Sequence, residues 1–190
     1  MRRLLVLAVC VLALSGCKGK STATTDPTPK PTVSGVQTFT QLSQRHLAKG
    51  EYDITYPQSP PVGGAHSPVW LKCQVYDTQL PKVNAVHSLE HGGIWVTYQP
   101  TLPAAQVTAL RQLVALNREF VMVSPYDGQT SPVVVTAWGL QLSVSSASDP
   151  RIVEFIRTYA GGDQGGEKNV GCATTGATLQ QALSYDQQNQ

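Results

Sequence analysis

The sequence predicts an α+β fold. It reads as one small domain over residues 36–190, a mixed β-sheet with helices packed on one face and an irregular Pro/Gly-rich N-terminal third. Three observations carry this. Leu102 to Asn117 sets Val107, Leu110, Leu113, Val114 and Leu116 at helical spacing behind Pro103, a residue suited to a helix start. Asp149-Pro150 opens a second helix reaching Tyr159, with Asp149 as N-cap and Pro150 at the first helical position. Around these helices lie the β-rich runs Ile94–Tyr98, Phe120–Ser124 and Val133–Trp138, the last two parted by the turn signal Asp127-Gly128. That order gives one layer of helices on a small mixed sheet.

The chain opens with a leader. Met1-Arg2-Arg3 is positive, Leu4 to Leu14 is an unbroken apolar run, and Ser15-Gly16-Cys17 closes it with small residues, the layout of a secretory signal. The run is too short for the roughly twenty residues of a spanning helix; an ordinary secretion signal or a short buried helix is the alternative. Leu14-Ser15-Gly16-Cys17 resembles a lipobox, which makes residues 1–16 a cleaved signal peptide and Cys17 the lipidation site. Acyl chains such as palmitate on Cys17 would hold the protein to membrane lipid. The expected localisation is extracytoplasmic, lipid-anchored to a bacterial membrane. Residues 17–35 are rich in Thr, Pro, Ser and Lys and read as a disordered tether.

Beyond the tether, Gln37 to Ala48 has helical potential ending at Gly50. Tyr52 to Tyr56 alternates like a short strand. Residues 57–68 form a Pro/Gly-rich loop carrying His66, and Leu71 to Tyr76 is extended. Gln141 to Val144 extends the sheet, Ala160 to Gly171 is Gly-rich, and Ala177 to Tyr185 suits a loose helix. Charge narrows the partners. The net charge is +2, but loss of Arg2 and Arg3 with the leader leaves twelve basic against twelve acidic side chains. No stretch concentrates Lys or Arg, so a nucleic-acid partner has no electrostatic basis.

Of four cysteines, Cys10 leaves with the leader and Cys17 is acylated, so Cys73 and Cys172 remain. A Cys73–Cys172 disulfide suits an oxidising compartment. The alternative is that one or both thiolates bind a soft metal.

The chemistry concentrates in His87-Ser-Leu-Glu90-His91. On a helix, His87 and His91 share one face, and Glu90 lies near enough to activate a bound water. That spacing matches the H-x-x-E-H motif of inverted zinc peptidases. Gly92-Gly93 and the strand at Ile94 follow at once, however, leaving room for about one helical turn. The chain has four histidines, and three fall between positions 66 and 91 with Cys73 among them. The expected ligands are therefore His66, His87, His91 and Cys73, with Glu90 orienting them. Neutral imidazole suits copper or zinc, and a thiolate would add a preference for Cu(I). An envelope metal-handling protein is the corresponding partner. Two alternatives stand beside metal binding: a His–Glu pair that only braces the loop, and a metal-dependent hydrolase using Glu90.

Pro60 to His66, Trp70, Cys73 to Tyr76, Val86 to Gly92 and Ile94 to Tyr98 together resemble the bacterial family called domain of unknown function 3105. The likeness continues through Ser124-Pro125-Tyr126, Ala137-Trp138-Gly139 and Arg151 to Tyr159, and ends near Cys172. His46 falls where members of that family tend to carry a histidine. The resemblance implies an extracytoplasmic, membrane-attached setting, a slight preference for copper over zinc, and no established activity. The stretch Gly165 to Cys172 departs from the family pattern while keeping Glu167 and Cys172.

Overall fold

The computed structural model describes residues 32–167 and 169–190. The predicted signal peptide, Cys17 and most of the tether lie outside the described residues. In chain order the elements are β1 (Gln37–Thr38), α1 (Lys82–Glu90), β2 (Ile94–Tyr98), α2 (Ala104–Gln112), β3 (Val121–Pro125), β4 (Val133–Ala137), β5 (Leu140–Val144), α3 (Pro150–Tyr159) and α4 (Leu179–Asn189), with a 3-10 segment, Leu113–Leu116, extending α2. No described helix is long and apolar enough to cross a membrane.

The β-rich runs become strands because every residue of β2 and β4 is buried, and β-branched side chains fill a pleated surface well. The sheet order is β1-β5-β4-β2-β3. β2 and β3 run parallel and the other neighbours antiparallel, so the expected mixed sheet is present. α2 supplies the crossover that a parallel pair needs. Asp127-Gly128 does lie between β3 and β4, yet the two do not pair, because β2 is inserted between them.

Alternation along the strands splits the core in two. Ile94, Val96, Tyr98, Val121 and Val123 meet Leu110 and Leu113 together with Phe155, Ile156 and Tyr159 of α3. On the opposite face Trp95 and Met122 meet Ala85, Val86 and Leu89 of α1 and Ala182 of α4. The α+β class stands, but helices on one face alone is corrected: both faces are covered. α1 escapes periodicity because Val83 to Glu90 are all buried, so no polar stripe marks it. It begins at Lys82 and runs nine residues, against the single turn expected from the His motif.

α3 forms where predicted. Asp149 Oδ1 accepts from the Arg151 backbone N–H at 3.0 Å, and Ile152, Phe155, Ile156 and Tyr159 form one buried stripe at the spacing an amphipathic helix requires. α4 is better defined than the loose helix expected, since Thr178 and Gln181 form a capping box. Two local expectations fail. Gln37 to Ala48 is not helical: Gln37 and Thr38 pair with Gln141 and Leu140 of β5, and His46 bridges His66, so tertiary pairing overrides helical potential. Tyr52 to Tyr56 alternates half-buried with exposed residues, but it is not part of the sheet. Cys73 and Cys172 form a disulfide across 99 residues, which anchors the C-terminal segment beside the second core.

Candidate metal centre

Four segments far apart in sequence meet at the C-terminal end of α1. The first two are held like neighbouring strands: the Leu47 backbone N–H donates to His66 O at 2.7 Å and that of His66 to Arg45 O at 3.1 Å. This pairing sets the His46 and His66 rings 5.1 Å apart. His66 itself is fully buried and stands edge-on to Trp138, with centroids 5.7 Å apart. α1 contributes His87 and Glu90 from its last turn and His91 as its C-cap. Trp70 walls the far side, 5.1 Å from the His87 ring and 4.5 Å from that of His91. Glu167 comes from the Gly-rich segment, its Oε2 2.9 Å from His91 Nε2.

Close backbone approach brings that last segment in. A Cβ on Gly165 would lie 2.3 Å from the Glu90 carbonyl oxygen, so only glycine lets this backbone rest on the end of α1. Gly92, at φ +86°, would meet the backbone of Gly161 at 2.9 Å in the same way. The Gly161 N–H donates to Gly92 O at 2.9 Å, and Gln44 Nε2 donates to Gly165 O.

Backbone carbonyls decide where the ring protons sit. A carbonyl cannot donate, so His66 Nδ1, 2.8 Å from Gly64 O, and His87 Nδ1, 2.6 Å from Ser67 O, carry the hydrogens. In the neutral rings both Nε2 atoms then present lone pairs to the interior. His66 Nε2 lies 2.9 Å from Glu90 Oε2, an ion pair when the ring carries a second proton, and no aligned hydrogen bond joins the two atoms. His87 Nε2 is 2.9 Å from His91 Nε2 and 4.0 Å from Glu90 Oε2. Glu90 is 4% exposed, and among the described residues no Lys or Arg pairs with its carboxylate.

Burial pushes the His87 imidazole down to about 3, and the neighbouring His66 and His91 rings reinforce this. His91 is lowered by burial too, against the opposing pull of Glu167 and Glu90. Both shifts favour the neutral ring, the protonation state that ligates metals. His91 Nδ1 is buried without a hydrogen-bond partner, a deficit of roughly 1–3 kcal/mol by usual measures.

The donor atoms fall into two sets. Ligand atoms of His46, His66, His87 and Glu90 lie within 4.8 Å of one another, and so do those of Glu90, His91 and Glu167. A tetrahedral zinc with bonds of about 2.1 Å sets its ligands about 3.4 Å apart, so modest closure of the first set suffices.

The family described as "Protein of unknown function (DUF3105)" matches residues 47–174. This chain belongs to it. The match spans every donor except His46, which stands one residue before its start. No curated protein and no solved structure matches the chain.

In this DUF3105 chain His66, His87, Glu90 and His91 come together as the sequence suggested, although His87 and His91 fall in different donor sets. Cys73 does not join them. Its sulfur is committed to Cys172, so it has no thiolate to offer a metal. Glu90, expected to orient ligands, stands among them. His46 was outside the expected ligand set, and its only sequence signal is the position it shares with the family.

Proposed function

We propose that this DUF3105 protein is an extracytoplasmic lipoprotein that binds a divalent transition metal, Cu(II) or Zn(II), through His46, His66, His87 and Glu90. One observation carries the metal reading. His66 Nε2, His87 Nε2 and the buried Glu90 carboxylate converge within ligand distance of one another and of His46, and a cation held by all of them would offset the cost of burying the carboxylate. A His–Glu brace alone would be expected to align a hydrogen bond at His66 Nε2, and none is present. The donor set of three nitrogens and one oxygen suits Zn(II) or Cu(II). With the Cys73 sulfur in a disulfide, the case for Cu(I) loses its soft ligand.

His46 is exposed while the other three members are buried. An exposed ligand at the rim suits exchange of the ion with an envelope metal-handling partner more than permanent structural use. The lipid anchor rests on Leu14-Ser15-Gly16-Cys17, with membrane lipid bound through acylated Cys17. Hydrolysis is disfavoured because Glu90 lies against His66 Nε2 instead of standing clear as a base.

The test is metal content and melting temperature of protein exported to an oxidising compartment and purified without chelators. Zn(II) or Cu(II) at a hundred times its dissociation constant stabilises by about 2.7 kcal/mol, or roughly 5–10 °C for a domain of this size. The shift should vanish in His66→Ala/His87→Ala. No bound metal and no shift with either ion would sink the proposal.

A further inference from the structure

Glu90 belongs to both donor sets, and a carboxylate has two oxygens to share. From this we infer a second divalent-cation site, formed by Glu90, His91 and Glu167, in which Glu90 bridges two metal ions. The inference rests on the first set being a metal site and adds a second ion beside it.

The His91 ring is the independent pointer. It is 3% exposed, and unlike His66 and His87 it has no backbone carbonyl to fix its tautomer, for its Nδ1 is unpartnered. Its Nε2 lies 2.9 Å from Glu167 Oε2 and 2.9 Å from His87 Nε2. The His87 contact joins the two sets directly. If His91 carries its proton on Nδ1, that proton has no acceptor and two ring lone pairs oppose each other. If it carries it on Nε2, Nδ1 is a buried acceptor without a donor. The Nδ1 deficit remains in either tautomer; what a cation held by Nε2 and the two carboxylates would use is the convergence of Nε2 with Glu167 Oε2 and the Glu90 carboxylate, beside His87 Nε2.

The structure also holds Glu167 where such an ion needs it. The glycine-rich segment rests on Glu90 through Gly165, is latched by Gln44, and is secured beyond Glu167 by the Cys73–Cys172 bridge. Paired ions in two-metal hydrolytic and phosphoryl-transfer enzymes sit roughly 3.5–4 Å apart, a spacing one bridging carboxylate spans. The two sets differ in character: the first offers three nitrogens and one carboxylate, the second one nitrogen and two carboxylates. Oxygen-rich donors favour harder divalent ions, so the second site should accept Zn(II) and Mn(II) and hold Cu(II) less selectively than the first. Glu167 is its exposed member, with half its side chain open to solvent, which gives the second ion an exit of its own.

Zn(II) equivalents per chain, counted by native mass spectrometry on metal-free protein, test this directly. The wild-type protein should saturate at two ions, and His91→Ala and Glu167→Gln at one each. Loaded with two equivalents of Cu(II), the wild type should show a spin-coupled pair by electron paramagnetic resonance, and both variants an isolated ion. Glu167→Gln changes an exposed residue, so circular dichroism should confirm an unaltered fold. Saturation at one Zn(II) in both wild type and His91→Ala would overturn the bridged pair while leaving the first site standing. No Zn(II) in the wild type would defeat both readings.

Discussion

Glu90 is the side chain on which the chemistry turns. A carboxylate buried with no Lys or Arg beside it among the described residues costs the metal-free fold free energy, so stability and function should separate there. Glu90→Gln replaces the charge with an amide that can donate to His66 Nε2. Thermal unfolding of the metal-free variant should show stability equal to or above wild type, while the metal-dependent rise in melting temperature is lost. A bracing role predicts a less stable variant. Asp186 offers a second separation, by pH. Burial raises its carboxyl above the ordinary value, against hydrogen bonds from Ser67 and Asn84. An acid raised on folding binds more protons in the folded state, so its favourable contribution is full at low pH and is lost as pH rises through the folded value. Asp186→Asn keeps an acceptor for Ser67 and removes the charge. It should stabilise the protein at neutral pH, with the gain fading below about pH 4, as melting curves across pH would show. Among site residues, His87, Glu90 and His91 were readable because a spacing of three and four implies one helix face. His46 was not, since its partner is twenty residues away and only the backbone pairing with His66 brings them together.

Elements were readable where a local pattern and a packing role coincide. The buried stripe Ile152, Phe155, Ile156 and Tyr159 and the Asp149 cap both show in the sequence, and α3 forms as expected. Asp149→Ala should cost about 1 kcal/mol, measurable by denaturant unfolding. α1 shows the opposite case: buried from Val83 to Glu90, it carries no amphipathic signal, and the His motif ahead of Gly92-Gly93 implies only about one turn. The Gln37–Ala48 segment followed neither course, because its fate is set by a sheet edge and by His66, both remote in sequence. The glycine-rich segment works by absence of side chains. Gly165→Ala would press a methyl into the Glu90 backbone and lift this segment from the site. That substitution should weaken the Glu167-dependent part of Zn(II) binding and spare the part held by His46, His66 and His87, as calorimetric titration would resolve.

For the whole molecule, the α+β class followed from the run of strands and helices, whereas strand order did not. Nothing local reveals that β2 inserts between β3 and β4, nor that α1 and α4 build a second core behind Trp95 and Met122. That second core contains the Cys73–Cys172 bridge. Cys73→Ala/Cys172→Ala should lose roughly 2–5 kcal/mol of stability, read by urea unfolding. The bridge also redraws the chain as a graph. Along the backbone, the Gln44 to Gly165 contact spans 121 residues; through the sulfurs the path is roughly a third as long, which lowers the entropy of closing it by about 1 kcal/mol. The covalent link that shores up the core therefore also shortens the route by which Glu167 arrives, and a protein that folds before it oxidises would complete its first donor set ahead of its second.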